Sequence, residues 1–174
     1  MYLGKILTAD TANGPGMRVT LFVSGCRNAC EGCFNKDTWN FHYGKEFTSD
    51  IRSKIVEELS KTYYQGLTIL GGEPFEPENQ SEVLEIIKAV REKHGNTRDI
   101  WVYTGFTYEE IPGSRAYTRY IDGILSGIDV LVDGRFVLTE KDIRLMFRGS
   151  RNQRVIDVRN TREKGRVILS PYNN

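Results

Sequence analysis

Short apolar runs alternate along the chain with stretches whose apolar positions follow helical spacing, and each pattern predicts its own kind of element. Residues 17–24 (Met-Arg-Val-Thr-Leu-Phe-Val-Ser) read as a buried strand that leads straight into Gly25 and Cys26. Residues 67–70 (Leu-Thr-Ile-Leu), 100–103 (Ile-Trp-Val-Tyr) and 128–132 (Ile-Asp-Val-Leu-Val) read the same way. Shorter runs near 154–158 and 166–169 predict two further strands. Residues 49–62 predict a helix with Thr48 or Ser49 as N-cap and Ile51, Ile55, Val56 and Leu59 on one face. Residues 79–94 predict another, since Val83, Ile86, Ile87 and Val90 are spaced i, i+3, i+4, i+7 and Gly95 stands where a helix-ending glycine belongs. Pro112-Gly113 breaks the stretch from 106 to 127, where only a short helix fits.

Strands alternating with helices point to βα units and a largely parallel sheet. Glycine and polar residues follow the ends of successive strands: Cys26, Gly71-Gly72-Glu73, Thr104-Gly105 and Asp133-Gly134. Parallel sheets and barrels bind ligands at that end, where the βα loops converge. Four such loops in 174 residues are too few for a closed eight-stranded barrel, so the expected fold is α/β, an open partial (β/α) barrel of mostly parallel strands. Residues 1–174 are expected to form a single domain.

Apolar residues make up 39% and charged residues 27% of the chain, a balance that excludes a disordered tail and fits a soluble globular protein. No apolar run approaches the roughly 18 residues that span a bilayer, and the first ten residues lack the apolar core of a secretory signal. The expected setting is the cytoplasm, with no membrane partner. Charge is unevenly placed. Residues 1–134 carry 14 Lys and Arg against 19 Asp and Glu, whereas residues 135–174 carry 10 against 4. The basic segment, with Arg144, Arg148, Arg151, Arg154, Arg159, Arg162 and Arg166, is either a solvated rim or an attractor of a phosphate, a carboxylate ligand or an acidic partner. No recognisable nucleic-acid module surrounds these arginines, so a nucleic-acid partner is not expected.

Cys26, Cys30 and Cys33 are the only cysteines, spaced CxxxCxxC. An odd set packed into eight residues suits a shared metal or cluster better than disulfides. A structural zinc site needs a fourth ligand, which His42 or His94 would have to supply. His94 reads as a helix C-terminal residue and His42 as a loop residue. Three thiolates on an iron–sulfur cubane instead leave one iron open to a substrate or cofactor.

This spacing at the end of a first core strand, followed by Gly71-Gly72-Glu73-Pro74 after the next, resembles the radical S-adenosylmethionine superfamily. Asn13-Gly14-Pro15-Gly16-Met17-Arg18 resembles the entry segment of its glycyl-radical-enzyme activases. Gly32-Cys33-Phe34-Asn35, Thr38-Trp39-Asn40, the 101–106 and 130–136 segments, and the run from Phe147 to Val158 resemble the branch that serves anaerobic ribonucleotide reductase. The resemblance covers residues 10–158.

The resemblance implies a truncated radical S-adenosylmethionine barrel and an oxidoreductase that makes a glycyl radical in the catalytic subunit of that reductase, with a reduced flavodoxin-type protein as electron donor. It implies a [4Fe-4S] cluster on Cys26, Cys30 and Cys33, with S-adenosylmethionine on the remaining iron. Gly71 and Gly72 would let backbone approach the cofactor's amino group and Glu73 would orient it. Gly32, Cys33 and Phe34 would lie beside the adenine. Asp133, Gly134 and Arg135 carry an acidic-x-basic pair that would meet ribose hydroxyls and the carboxylate. Thr104 stands where related activases hold a monovalent cation, but Tyr103 replaces the acidic partner, so the cation site is not carried over. No general base or nucleophile is implied, since the radical comes from the cofactor. Trp39 and Trp101 read as core residues. Arg148, Arg151, Gln153 and Arg154 would close over the cofactor or dock the partner. The alternatives are an activase of another glycyl-radical enzyme, a small-molecule enzyme of the same superfamily, and a non-catalytic zinc-binding module.

Overall fold

Strands rich in branched and aromatic side chains need both faces covered when they lie in a parallel sheet, and the burial of residues 18–23 shows such a strand. The computed structural model describes residues 1–173. Among these the chain forms one open mixed sheet of seven strands and four α-helices. In chain order they are β1 (Tyr2–Asp10), β2 (Met17–Val23), β3 (Lys45–Glu46), α1 (Ser49–Glu58), β4 (Tyr64–Gly71), α2 (Pro77–His94), β5 (Asp99–Tyr103), α3 (Ile121–Gly127), β6 (Val130–Asp133), β7 (Arg154–Asp157) and α4 (Val158–Lys164). The sheet order is β3-β1-β2-β4-β5-β6-β7. The four central strands β2, β4, β5 and β6 run parallel, as the alternation of strands and helices predicts. β1, β3 and β7 join antiparallel at the flanks.

Alternate residues of each strand point to opposite faces. Ile100, Val102, Leu131 and Ile156 enter the main core, which also contains Val83, Ile86, Ile87 and Val90 of α2 and Ile55 of α1. Trp101, Val132 and Val155 face the other way and gather a smaller cluster with Phe147 and Tyr172. Arg18 is fully buried on the Trp101 side. It donates to Thr68 Oγ1 at 2.7 Å, Leu67 O at 3.0 Å and Asp99 Oδ1 at 2.5 Å. A charge so enclosed is tolerable because its donors are occupied.

Several predicted boundaries move. α1 stops at Glu58, four residues before the predicted end at 62, because Ser60 and Lys61 amides turn to carbonyls three residues back. Tyr64 then opens a β4 longer than the predicted 67–70. Residues 166–169 form no strand: Leu169 makes one isolated bridge to Ile156. β1, β3 and α4 have no counterpart in the predicted elements.

Candidate functional site

The loops after β2, β4, β5 and β6 converge on one cavity of about 410 Å³. They are laced together by backbone. Gly72 N donates to Val23 O at 2.7 Å, Glu73 N to Gly25 O at 2.8 Å, and Gly25 N to Thr38 O at 2.7 Å. The glycine pair is required by this lacing. Gly71 has φ +115°, and a Cβ on Gly72 would stand 2.6 Å from Gly25 O and 2.9 Å from Thr38 O. Both glycines line the cavity as well.

All three cysteine side chains line the cavity, and none is in a disulfide. Each sulfur has a backbone amide aimed at it: Asn28 N at 3.4 Å from Cys26, Asn35 N at 3.4 Å from Cys33, and the Phe136 amide at Cys30. Amides directed at sulfur are a device that tunes cluster-bound thiolates. Burial, reinforced by the charges of Glu73 and Glu76, pushes the Cys26 thiol up to about 12. Burial also raises Cys30, with Cys33 adding to it. Thiols held protonated are poor nucleophiles, but a coordinated metal deprotonates a thiol outright. Among the described residues, no three His, Cys, Asp or Glu side chains close on a single-ion geometry. His42 is exposed and stacks edge-on against Tyr2, while His94 ends α2 with Nε2 2.8 Å from Val56 O. Neither lines the cavity.

Glu73 is buried, and its carboxylate is fully occupied. Oε1 accepts from Phe75 N at 2.9 Å and Thr104 Oγ1 at 2.8 Å; Oε2 accepts from Gly105 N at 2.7 Å and Asn28 Nδ2 at 2.8 Å. One side chain therefore ties the cysteine loop, its own loop and the β5 loop together. Asn28 Oδ1 accepts in turn from Arg115 Nη2 at 2.6 Å. Buried Glu76 accepts from Arg27 N at 2.8 Å and from Arg115 Nη2 at 3.0 Å, which fastens the cysteine loop to the start of α2.

Of the sequence-predicted site residues, Cys26, Cys30, Cys33, Gly32, Phe34, Gly71, Gly72, Glu73, Thr104 and Gly134 all line the cavity. Asp133 and Arg135 do not. Asp133 is buried with its carboxylate on Arg154 (3.0 and 2.5 Å) and on Tyr108 N (2.7 Å), so it joins β6 to β7. Arg135 is exposed, close enough to Cys30 for its charge to be felt there. Trp101 is core, but Trp39 is half-buried on the lining. Sequence reasoning gave no role to Asn28 or Arg115; of the irregular segment 141–149, which supplies part of the cavity wall, it singled out only Arg144, Arg148 and the run that begins at Phe147, and Arg148 lines the cavity together with Gln153. Much of the basic segment is paired internally: Arg154 to Asp133 and Glu109, Arg159 to Asp129, and Arg144 and Arg151 to Asp142.

Residues 12–156 match a family model described as a 4Fe-4S single cluster domain. That span contains all three cysteines and every strand that carries the cavity. Similar proteins include the anaerobic ribonucleoside-triphosphate reductase-activating protein of Enterobacteria phage T4, 38% identical over 157 residues, covering 89% of this chain and 93% of the relative. Those of Salmonella typhi and Escherichia coli K12 are each 40% identical over 152 residues, covering 86% of this chain and 94% of the relative. The chain belongs to this family of activating proteins with a single 4Fe-4S cluster domain. Among the described residues, no helix is long and apolar enough to cross a membrane.

Proposed function

We propose that this chain is a radical S-adenosylmethionine activase that installs a glycyl radical in an anaerobic ribonucleotide reductase, with a reduced flavodoxin-type protein as its electron source. The supporting observation is that three amide-capped thiols share one cavity with a glycine pair at the C-terminal ends of parallel strands. We read residues 1–174 as one domain, the open sheet as a truncated barrel, and the cytoplasm as its setting. When bound, the cluster and S-adenosylmethionine supply one-electron cleavage of the sulfonium to a 5′-deoxyadenosyl radical that takes hydrogen from a glycine Cα.

The chain's own residues bind, orient and enclose. Cys26, Cys30 and Cys33 would hold the cluster through three thiolates and leave it one site open to S-adenosylmethionine. Gly71 and Gly72 offer backbone at close range. Glu73 touches protein donors on every side, so it acts as a positioning residue that keeps three loops in register. Phe34, Gly32 and Trp39 supply apolar wall for the adenine. Gly134 contributes from β6, with Asp133 holding it through Arg154, and Arg135 balances thiolate charge at Cys30. Tyr103 donates to Phe147 O at 2.7 Å and so fixes the far wall. Glycine suits as target because, lacking a Cβ, it enters a narrow site.

Anaerobic incubation with a reductant, S-adenosylmethionine and the reductase should give a glycine-centred doublet by electron paramagnetic resonance, with about four irons per chain as expected of one cubane. A colourless protein with a single zinc, or cofactor cleavage that persists in Cys30→Ala, would overturn the reading.

A further inference from the structure

The cavity mouth is bordered by apolar side chains that the fold leaves in water. Ile143 is 90% exposed, Phe34 83%, Leu138 42% and Met146 40%. Phe34 and Ile143 line the cavity, Met146 stands in the same wall segment between the lining residues Leu145 and Phe147, and Leu138 packs against Gly32, where an added Cβ would sit 2.8 Å away. Single exposed apolar residues need no explanation, but a group gathered around one opening marks an interaction surface. The display is also held in place. Asp142 accepts from Arg144 N at 3.1 Å, Arg144 Nε at 2.9 Å and Arg151 Nη2 at 2.9 Å. Lys141 bridges to Ser150. Phe147 is pinned between the rings of Trp101 and Tyr172, with centroids 5.5 and 5.6 Å away. A segment fastened at both ends that presents an isoleucine outward is preorganised for docking.

The charge around it is predominantly positive. Residues 135–151 carry Arg135, Lys141, Arg144, Arg148 and Arg151 against Glu140 and Asp142. Resting on the activase reading, in which a protein chain must cross this rim to reach the cavity, we propose that Leu138, Ile143 and Met146 form the docking knob for the reductase. The matching surface is an apolar recess bordered by carboxylates, and Arg144 and Arg151 steer the approach.

The test measures anaerobic affinity between the cluster-loaded protein and the intact reductase. Ile143→Asp and Met146→Asp should each weaken binding at least tenfold while leaving the melting temperature within about 2 °C, as exposed substitutions do. Arg144→Ala should flatten the salt dependence of the association rate. Wild-type-like affinity, within twofold, in both aspartate variants would overturn the proposal. So would a wild-type dimer in sedimentation that Ile143→Asp dissolves without changing reductase affinity, since the rim would then serve a second copy. The activase reading is tested separately by radical formation with the wild-type chain. A radical-forming wild type beside variants that bind normally refutes only the docking surface.

Discussion

Replacing Glu73 by glutamine tests whether the buried carboxylate is the fastening of the site. The carboxylate accepts four donors, two per oxygen. Glutamine keeps one accepting oxygen and turns an NH₂ toward the other pair. On the Oε2 side both partners are donors, and turning Asn28 over would cost its bond from Arg115. The amide therefore faces Thr104, whose hydroxyl can rotate to accept, and Phe75 N, which cannot. One buried amide is stranded, worth about 1–3 kcal/mol, and two remaining bonds lose the strength that charge gives them. Burial raises the Glu73 pKa, so glutamine recovers part of the cost of enclosing a charge. The net loss is about 2 kcal/mol, a fall in melting temperature of roughly 4–8 °C for a chain of this size. Calorimetric unfolding near neutral pH, on metal-free and cluster-loaded protein, measures it. A Glu73→Gln protein that melts at or above the wild-type temperature refutes the four-donor carboxylate, because only a protonated side chain is mimicked so well by an amide.

Gly72→Ala should lower both stability and iron content, since its methyl would press on two backbone carbonyls that cannot swing aside. Gly113→Ala, with nothing within 4 Å of the added carbon, is the control, and equal iron loading in both variants would contradict the steric argument. Arg18→Ala should destabilise by about 1–3 kcal/mol, since it removes a fully buried guanidinium from its partners Thr68, Leu67 and half-buried Asp99, as read by urea denaturation. For Asp10, burial pushes the pKa up, but donors from Asn13 and the Ala12 amide, with the charge of Arg18, outweigh it and leave it below the ordinary carboxylate value. Its ionised form therefore contributes stability above about pH 4 that is lost as pH falls through the lowered pKa. Asp10→Asn should show a shallower acid limb in stability against pH, and an unchanged slope would count against this.

The parallel core was legible because β2, β4, β5 and β6 are buried apolar runs that end in glycine or a polar residue, a pattern local to each segment. That same punctuation marked the cavity-forming loops. What escaped depends on distant partners. Asp133 looks like a free strand-end carboxylate until Arg154, 21 residues away, takes it. Asn28 and Arg115 lie 87 positions apart, and nothing in either neighbourhood advertises the bond. β1 is too mixed to read, with Gly4, Lys5 and Thr8 interrupting its apolar positions. α4 did carry readable signals: Asp157 caps it by accepting from Asn160 N at 3.0 Å, and Gly165 follows in the left-handed conformation. Its seven residues are too few to establish a helical period. The 141–149 wall has no period at all, being held by side-chain bonds and one aromatic anchor.

The amides of Gly72 and Glu73 continue the ladder between β2 and β4 past the last strand residue. The cavity mouth thus has no hinge on that side, and any breathing there must unpeel the centre of the sheet. Solvent deuterium should reach those two amides only on the timescale of whole-molecule opening. Any adaptation on docking then falls to the incoming chain, because the cysteine-bearing bank behaves as a fixed anvil.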